Sequence, residues 1–176
     1  GATEIGIEIV ENVKENILLI EIHDNGKGMS EKMVQQVSDP FFTTKTTRRI
    51  GLGIPFLIQA ARETMGDVDI KTGKGKGTTI TARFQYNHID RKPLGDMEKT
   101  MSVLIASNPD IDFSFHHIRN NRSFTLKTAE IRKKLEGIPI NAPQVIKYIK
   151  DDIREWLNET KSIIVGGITK HRKRGQ

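Results

Sequence analysis

The chain has 176 residues and no cysteine. That excludes a disulfide frame and any thiolate metal site. No stretch approaches the roughly 20 apolar residues that a membrane-spanning helix needs. The opening Gly1-Ala2-Thr3-Glu4 lacks the charged and apolar regions of a signal peptide. A cytoplasmic protein is therefore expected. The pattern G-x-x-x-x-G-K-[ST] is missing, which excludes a P-loop, and so is G-x-G-x-x-G, which argues against a Rossmann site. No internal repeat is visible. The hydrophobic fraction of 36% can support a core, and the length suits one domain or one domain plus a small appendage.

Net charge is +6, but Lys170, Arg172, Lys173 and Arg174 lie together at the end, and without them it is +2. The basicity is mainly a property of the tail. A basic tail can touch nucleic acid or an acidic partner, though a solvated end is the commoner outcome.

Period-2 alternation predicts a strand at Ile5, Ile7 and Ile9 and another over 17–24, with a polar turn at 11–16 between them. In the second strand Leu18, Ile20 and Ile22 share parity with Asp24, so the carboxylate faces the same side as that apolar row. A carboxylate there needs a partner, since burying it alone is costly. A ligand amine could be that partner. Asp24-Asn25-Gly26 also suits an ordinary aspartate turn.

Ser30 can cap a short helix carrying Met33, Val34 and Val37, ended by Asp39-Pro40. Residues 41–50 are Thr-rich and basic and read as a loop. A helix follows through Ile54, Leu57, Ile58, Ala61 and Met65, with Pro55 in its first turn and Gly66 at its end. Strands are expected at Val68 and Ile70, and at Ile80 to Tyr86 after a glycine-rich turn over 73–77. A boundary falls near 87–93. Beyond it the pattern predicts a helix from Leu94 to Ile105, a strand pair over 111–118 and 122–127, a short helix after Thr128, and a stronger helix opened by Pro143. His116 and His117 are adjacent in a predicted strand, point to opposite faces, and so cannot share one metal without distortion.

Three glycine clusters stand out: Gly26 and Gly28, Gly51 and Gly53, and Gly75 and Gly77. Gly51-Leu52-Gly53 lies just before the helix opened by Pro55. Free N–H groups and the positive dipole end make a helix start suitable for phosphate. Lys45, Arg48 and Arg49 in the preceding loop could add charge there.

The ordered series Asp24-Asn25-Gly26-Lys27-Gly28-Met29, Asp39-Pro40-Phe41-Phe42-Thr43-Thr44-Lys45, Gly51-Leu52-Gly53-Ile54 and Gly75-Lys76-Gly77-Thr78 resembles the ATP-binding core of the GHKL superfamily. That superfamily holds histidine kinases, type II topoisomerases, a heat-shock chaperone and mismatch-repair ATPases. The Pro-Phe-Phe-Thr-Thr-Lys segment is most similar to sensor histidine kinases. The resemblance covers residues 1–86, about half the chain.

It implies ATP and Mg²⁺ as cofactors. By the resemblance Asp24 accepts from the adenine amino group, Gly26 and Gly28 let backbone approach the ring, and Met29 lines the pocket. Phe41 and Phe42 seat a lid over ATP. Thr44 and Lys45 lie toward the phosphates, and Gly51, Leu52 and Gly53 hinge the lid and offer backbone N–H groups. Gly77 and Thr78 lie beside Asp24 and the adenine. The family also places a helix before the first strand, carrying a Mg²⁺-binding Asn and often an acidic activator. This chain starts just after that point, so the core is expected to be truncated and its catalytic residues to lie upstream of Gly1. No metal ligand is visible among these residues. His88-Ile89-Asp90-Arg91-Lys92-Pro93 loosely echoes a phosphoacceptor motif, but it sits downstream of the core and lacks the acidic neighbour.

The expected architecture is α/β: a two-layer sandwich of a mixed sheet with helices on one face, plus a small C-terminal α/β unit. Residues 1–88 would form the ATP-binding core, 89–162 an appendage and 163–176 a basic tail. The expected function is phosphoryl transfer from Mg-ATP to a protein, as in a histidine kinase. Two alternatives remain: an ATP-gated switch that binds a partner without transfer, and a mismatch-repair-like ATPase. A protein phosphoacceptor or regulated partner is implied, and a homodimer is the family's habit.

Overall fold

The structure is a computed structural model that describes residues 1–38 and 52–171. Phe41, Phe42, Thr44, Lys45, Arg48, Arg49, Gly51 and most of the basic tail fall outside the described residues. The chain divides into two compact units. The first comprises residues 1–93 and 110–129, and the second 94–109 and 130–176.

The first unit is built on one six-stranded sheet, in the order β3-β4-β2-β1-β5-β6. Its strands are β1 (Glu4–Asn12), β2 (Ile17–Asp24), β3 (Asp67–Thr72), β4 (Thr78–Gln85), β5 (Asp112–Arg119) and β6 (Arg122–Lys127). β1 and β5 run parallel and every other neighbouring pair is antiparallel, so the sheet is mixed. The strand pair expected beyond residue 110 does not make a sheet of its own. Its β5 pairs with β1, and Phe113, Phe115, His117 and Leu126 are all buried.

Residues directly opposite one another in a ladder share a face. Across β3, β4, β2, β1, β5 and β6, one row therefore reads Ile70, Ile80, Ile22, Ile7, Phe115, Leu126. The next row on that face reads Val68, Ala82, Ile20, Ile9, His117, Phe124. The opposite face carries Asp69, Thr81, Glu21, Glu8, His116 and Thr125 in register. One face is thus apolar and the other charged, as alternation requires when only one side is covered.

The helices of this unit are α1 (Glu31–Ser38) and α2 (Gly53–Arg62). Ser30 caps α1 by accepting from the Met33 N–H at 3.3 Å. Val34 of α1 and Ile58 of α2 line one crevice with Val68 and Ile70, which places both helices on the apolar face. The end of α2 differs from expectation. Met65, not Gly66, takes the left-handed position, with φ 56°. Gly66 is required for a different reason: a Cβ there would lie 1.8 Å from the Arg83 carbonyl oxygen of β4.

The second unit is helical, built from α3 (Met97–Ser107), most of α4 (Thr128–Lys134) and α5 (Pro143–His171). Asp96 caps α3 through the Lys99 N–H at 2.9 Å. Met97, Met101 and Ile105 pack with Val145, Ile149, Ile153 and Trp156, spaced on one face of α5. Arg154 holds the Glu98 carboxylate through two N–H donors at 2.6 and 2.9 Å. No helix among the described residues is long and apolar enough to cross a membrane.

Candidate functional site

Asp24 ends β2 on the apolar face, next to Ile22, as its parity requires. Its ladder row reads Thr72, Thr78, Asp24, Ile5, Phe113, so three polar side chains stand together where the apolar face ends. Asp24 Oδ1 accepts from the Gly26 N–H at 2.7 Å. The turn geometry and the inward-facing carboxylate are therefore one arrangement and do not compete. Asn25 does other work. Its Oδ1 accepts from the N–H groups of Thr3 and Glu4, at 2.9 and 3.0 Å, and ties the start of β1 to the end of β2.

The first and third glycine clusters pack into each other. Gly28 has φ +66°, and a Cβ on it would lie 2.0 Å from the Gly73 carbonyl oxygen. Gly77 has φ +73°, and its Cβ would lie 1.9 Å from the Asp24 carbonyl oxygen. Only glycine combines a left-handed φ with so close a backbone approach. The Gly75 N–H donates to the Lys27 carbonyl at 2.8 Å, which closes the pair of turns. Thr72 completes the junction. Its hydroxyl accepts from the Met29 N–H at 2.9 Å and donates to the Gly77 carbonyl at 2.8 Å.

Leu52 and Gly53 begin α2. Leu52 sits at the N-cap and has no side-chain oxygen to offer, so that position does not cap the first-turn N–H groups. Leu52 and Phe56 are both more than half exposed, at 60% and 59%. A Cβ added at Gly53 would meet nothing within 4 Å, so the backbone there is open.

A cavity of about 390 Å³ opens at the Asp24 end of the sheet. Its walls include Gly6, His23, Ser114 and Lys127 of the charged face, together with Ile5 and Phe113. Of the motif residues named from the sequence, Asp24, Asn25 and Lys76 line it. The His23 ring lies directly over Gly6 there, where a Cβ would fall 2.0 Å from Cε1.

Residues 1–88 match the family model described as histidine kinase-, DNA gyrase B-, and HSP90-like ATPase. The chain belongs to this family. It thus carries an ATP-binding domain of the histidine kinase type, in a mixed α/β sheet. A "Putative sensor protein" of Shewanella frigidimarina is 33% identical over 85 residues, which is 47% of this chain and 13% of that protein. "Sporulation kinase E" of Bacillus subtilis is 31% identical over 85 residues, 47% of this chain and 11% of its own length. The chain thus spans about one-eighth of the length of these relatives. The solved N-terminal domain of a DNA repair protein aligns with 72% of this chain and 47% of its own, at 17% identity and a TM-score of 0.46. A likeness that loose carries no argument here.

At this end of the sheet a carboxylate and a hydroxyl, Asp24 and Thr78, stand side by side next to the two glycine turns, and such a pair can accept from an amino group. They do not offer a metal cage. Among the described residues no group of three or more His, Cys, Asp or Glu side chains converges. His116 and His117 do face opposite sides. His116 Nδ1 lies 3.1 Å from Glu8 on the charged face, and His117 Nε2 lies 2.9 Å from Glu11 in the interior.

That second pair differs from the turn that the polar run over 11–16 predicts. β1 continues to Asn12, and Glu11 is only 6% exposed. Burial alone would raise its carboxyl. The His117 hydrogen bond, the Arg119 charge and a bond from Tyr86 outweigh that and hold it below the ordinary carboxylate range. The signal was present in the parity of Ile5, Ile7, Ile9 and Glu11.

Proposed function

We propose that this chain is the nucleotide-binding part of a histidine kinase-like phosphotransferase, passing a phosphoryl group from ATP to a protein side chain. The observation that carries the nucleotide half is the interlock of the two glycine turns around Asp24. It sets the carboxylate beside Thr78 and next to both glycine turns. Asp24 accepts from the exocyclic amino group, and Gly26, Gly28 and Met29 form the floor. The start of α2 at Leu52 and Gly53 presents uncapped N–H groups to the phosphates. Phe41, Phe42, Thr44, Lys45 and Gly51 belong to the same set, as lid seat and phosphate contacts. Mg²⁺ neutralises phosphate charge in such chemistry, and no residue of this chain is assigned to hold it. The transfer half rests on likeness to a named kinase. The Pro40-to-Lys45 motif read from the sequence supports the same assignment.

Labelled ATP and the purified chain, with a candidate acceptor protein, test both halves. Label on protein supports the kinase reading. Free phosphate supports an ATPase of the mismatch-repair kind, and tight binding with neither supports a switch. Asp24→Asn replaces an acceptor oxygen by a donor and should weaken ATP binding at least about tenfold. Unchanged affinity in that variant would overturn the assignment of Asp24.

A further inference from the structure

We infer that Thr72, which the sequence reading did not single out, sets the hydrogen-bond polarity of the base pocket and thereby its preference for a 6-amino over a 6-keto purine. This rests on the nucleotide reading above and adds a specificity determinant to it. A threonine hydroxyl has one hydrogen to give and two lone pairs to receive with. The Thr72 hydroxyl gives its hydrogen to the Gly77 carbonyl oxygen, 2.8 Å away, and that oxygen can only accept. It receives the Met29 N–H at 2.9 Å. Its third neighbour is the Thr78 hydroxyl at 3.1 Å. With its own hydrogen committed, Thr72 can only accept from Thr78.

The consequence falls on Thr78. In the ladder row Thr78 stands between Thr72 and Asp24. A Thr78 hydrogen turned toward Thr72 leaves the lone pairs of that oxygen on the Asp24 side. These two side chains then present acceptors next to each other, the Asp24 carboxylate and the Thr78 oxygen, and neither offers a hydrogen. An amino group with two N–H bonds satisfies such a pair. A keto oxygen meets acceptors only and loses its hydration without replacement, which is the costly case. Thr72 need not touch the ligand, so it is a positioning residue. Without its hydroxyl the Thr78 hydrogen is free to rotate into the pocket and receive a keto oxygen.

The test is the ratio of affinities of the whole chain for fluorescent ATP and GTP analogues, in wild type, Thr72→Val and Thr72→Ser, with melting temperature recorded for each. Wild type should prefer ATP. Thr72→Val keeps the shape and loses the hydroxyl, and should lower the ATP-to-GTP ratio by about tenfold or more. Thr72→Ser should restore it. A purely structural threonine would weaken both nucleotides in proportion and leave the ratio alone, and that result overturns the inference. So does a serine variant that behaves like valine. If Thr72→Val does not fold, Thr72→Cys, with a weaker donor and acceptor, should give an intermediate ratio, and a wild-type ratio there counts against the idea. A wild-type chain that binds neither analogue overturns the nucleotide reading and this inference with it. Binding with an unchanged ratio overturns this inference alone.

Discussion

At the scale of single residues, two positions show how much one atom decides. Gly75 and Gly77 lie two apart, both with left-handed φ, yet a Cβ at Gly75 would meet nothing within 4 Å while one at Gly77 would strike the Asp24 carbonyl. Gly75→Ala should therefore cost only the conformational penalty, about 1–2 kcal/mol. Gly77→Ala adds a backbone collision and should displace Asp24 itself. Urea melts of the two variants should rank them in that order, and Gly77→Ala should lose ATP binding more than its loss of stability explains. Glu11 gives a different residue-scale prediction. Its folded carboxyl sits below its unfolded one, held there by His117 and Arg119. Its contribution is fully present above the ordinary carboxylate pKa and is lost as pH falls through the lower folded value. Denaturant midpoints followed from pH 7 to pH 3 should therefore drop steeply in the wild type and more gently in Glu11→Gln. At pH 7 that variant should be less stable by roughly 1–3 kcal/mol, since it leaves the partly buried Arg119 charge without its carboxylate.

At the scale of elements, the end of α2 carries strain that can be relieved. Met65 is 82% exposed and held at φ 56°, a conformation glycine adopts freely. Met65→Gly should stabilise the chain by about 1 kcal/mol, read as a higher melting temperature. The sequence placed a glycine at this helix end one residue too late, because Gly66 is demanded by β4 and not by the helix. Elsewhere the local signals sufficed. Period-2 alternation marked β2 at 17–24, Ser30 marked the start of α1, and the apolar spacing from Val145 to Trp156 marked α5. Each of those is decided by neighbours within a few residues. Glu11 was missed because its partners, His117 and Arg119, lie more than a hundred residues away in β5. Parity alone says that Glu11 points inward and says nothing of what meets it there. Thr72 escaped for a related reason, since its role comes from Met29 on another turn.

At the scale of the molecule, the sheet does not follow the family boundary. The matched region ends at residue 88, but β5 and β6 come from 112–127 and cover the β1 edge. Composition could not show this, because a strand pair after a boundary reads equally as a separate unit. The parallel register from Glu4↔Asp112 to Glu11↔Arg119 decides the matter. A fragment ending at Pro93 would keep every motif of the nucleotide site and lose that pairing. β1 would then present a bare row of N–H and C=O groups, an edge open to other chains. Phe113, Phe115, His117 and Leu126 would be gone from the core, and Glu11 would lose both partners that hold it. Such a fragment should melt without cooperativity, bind hydrophobic dye and aggregate, while a fragment extended to Ala129 keeps the whole sheet and should melt cooperatively. Circular dichroism melts of the two fragments beside the whole chain read the difference directly. A cooperative 1–93 fragment with native ATP affinity would mean that β5 and β6 merely lie against a core that stands without them.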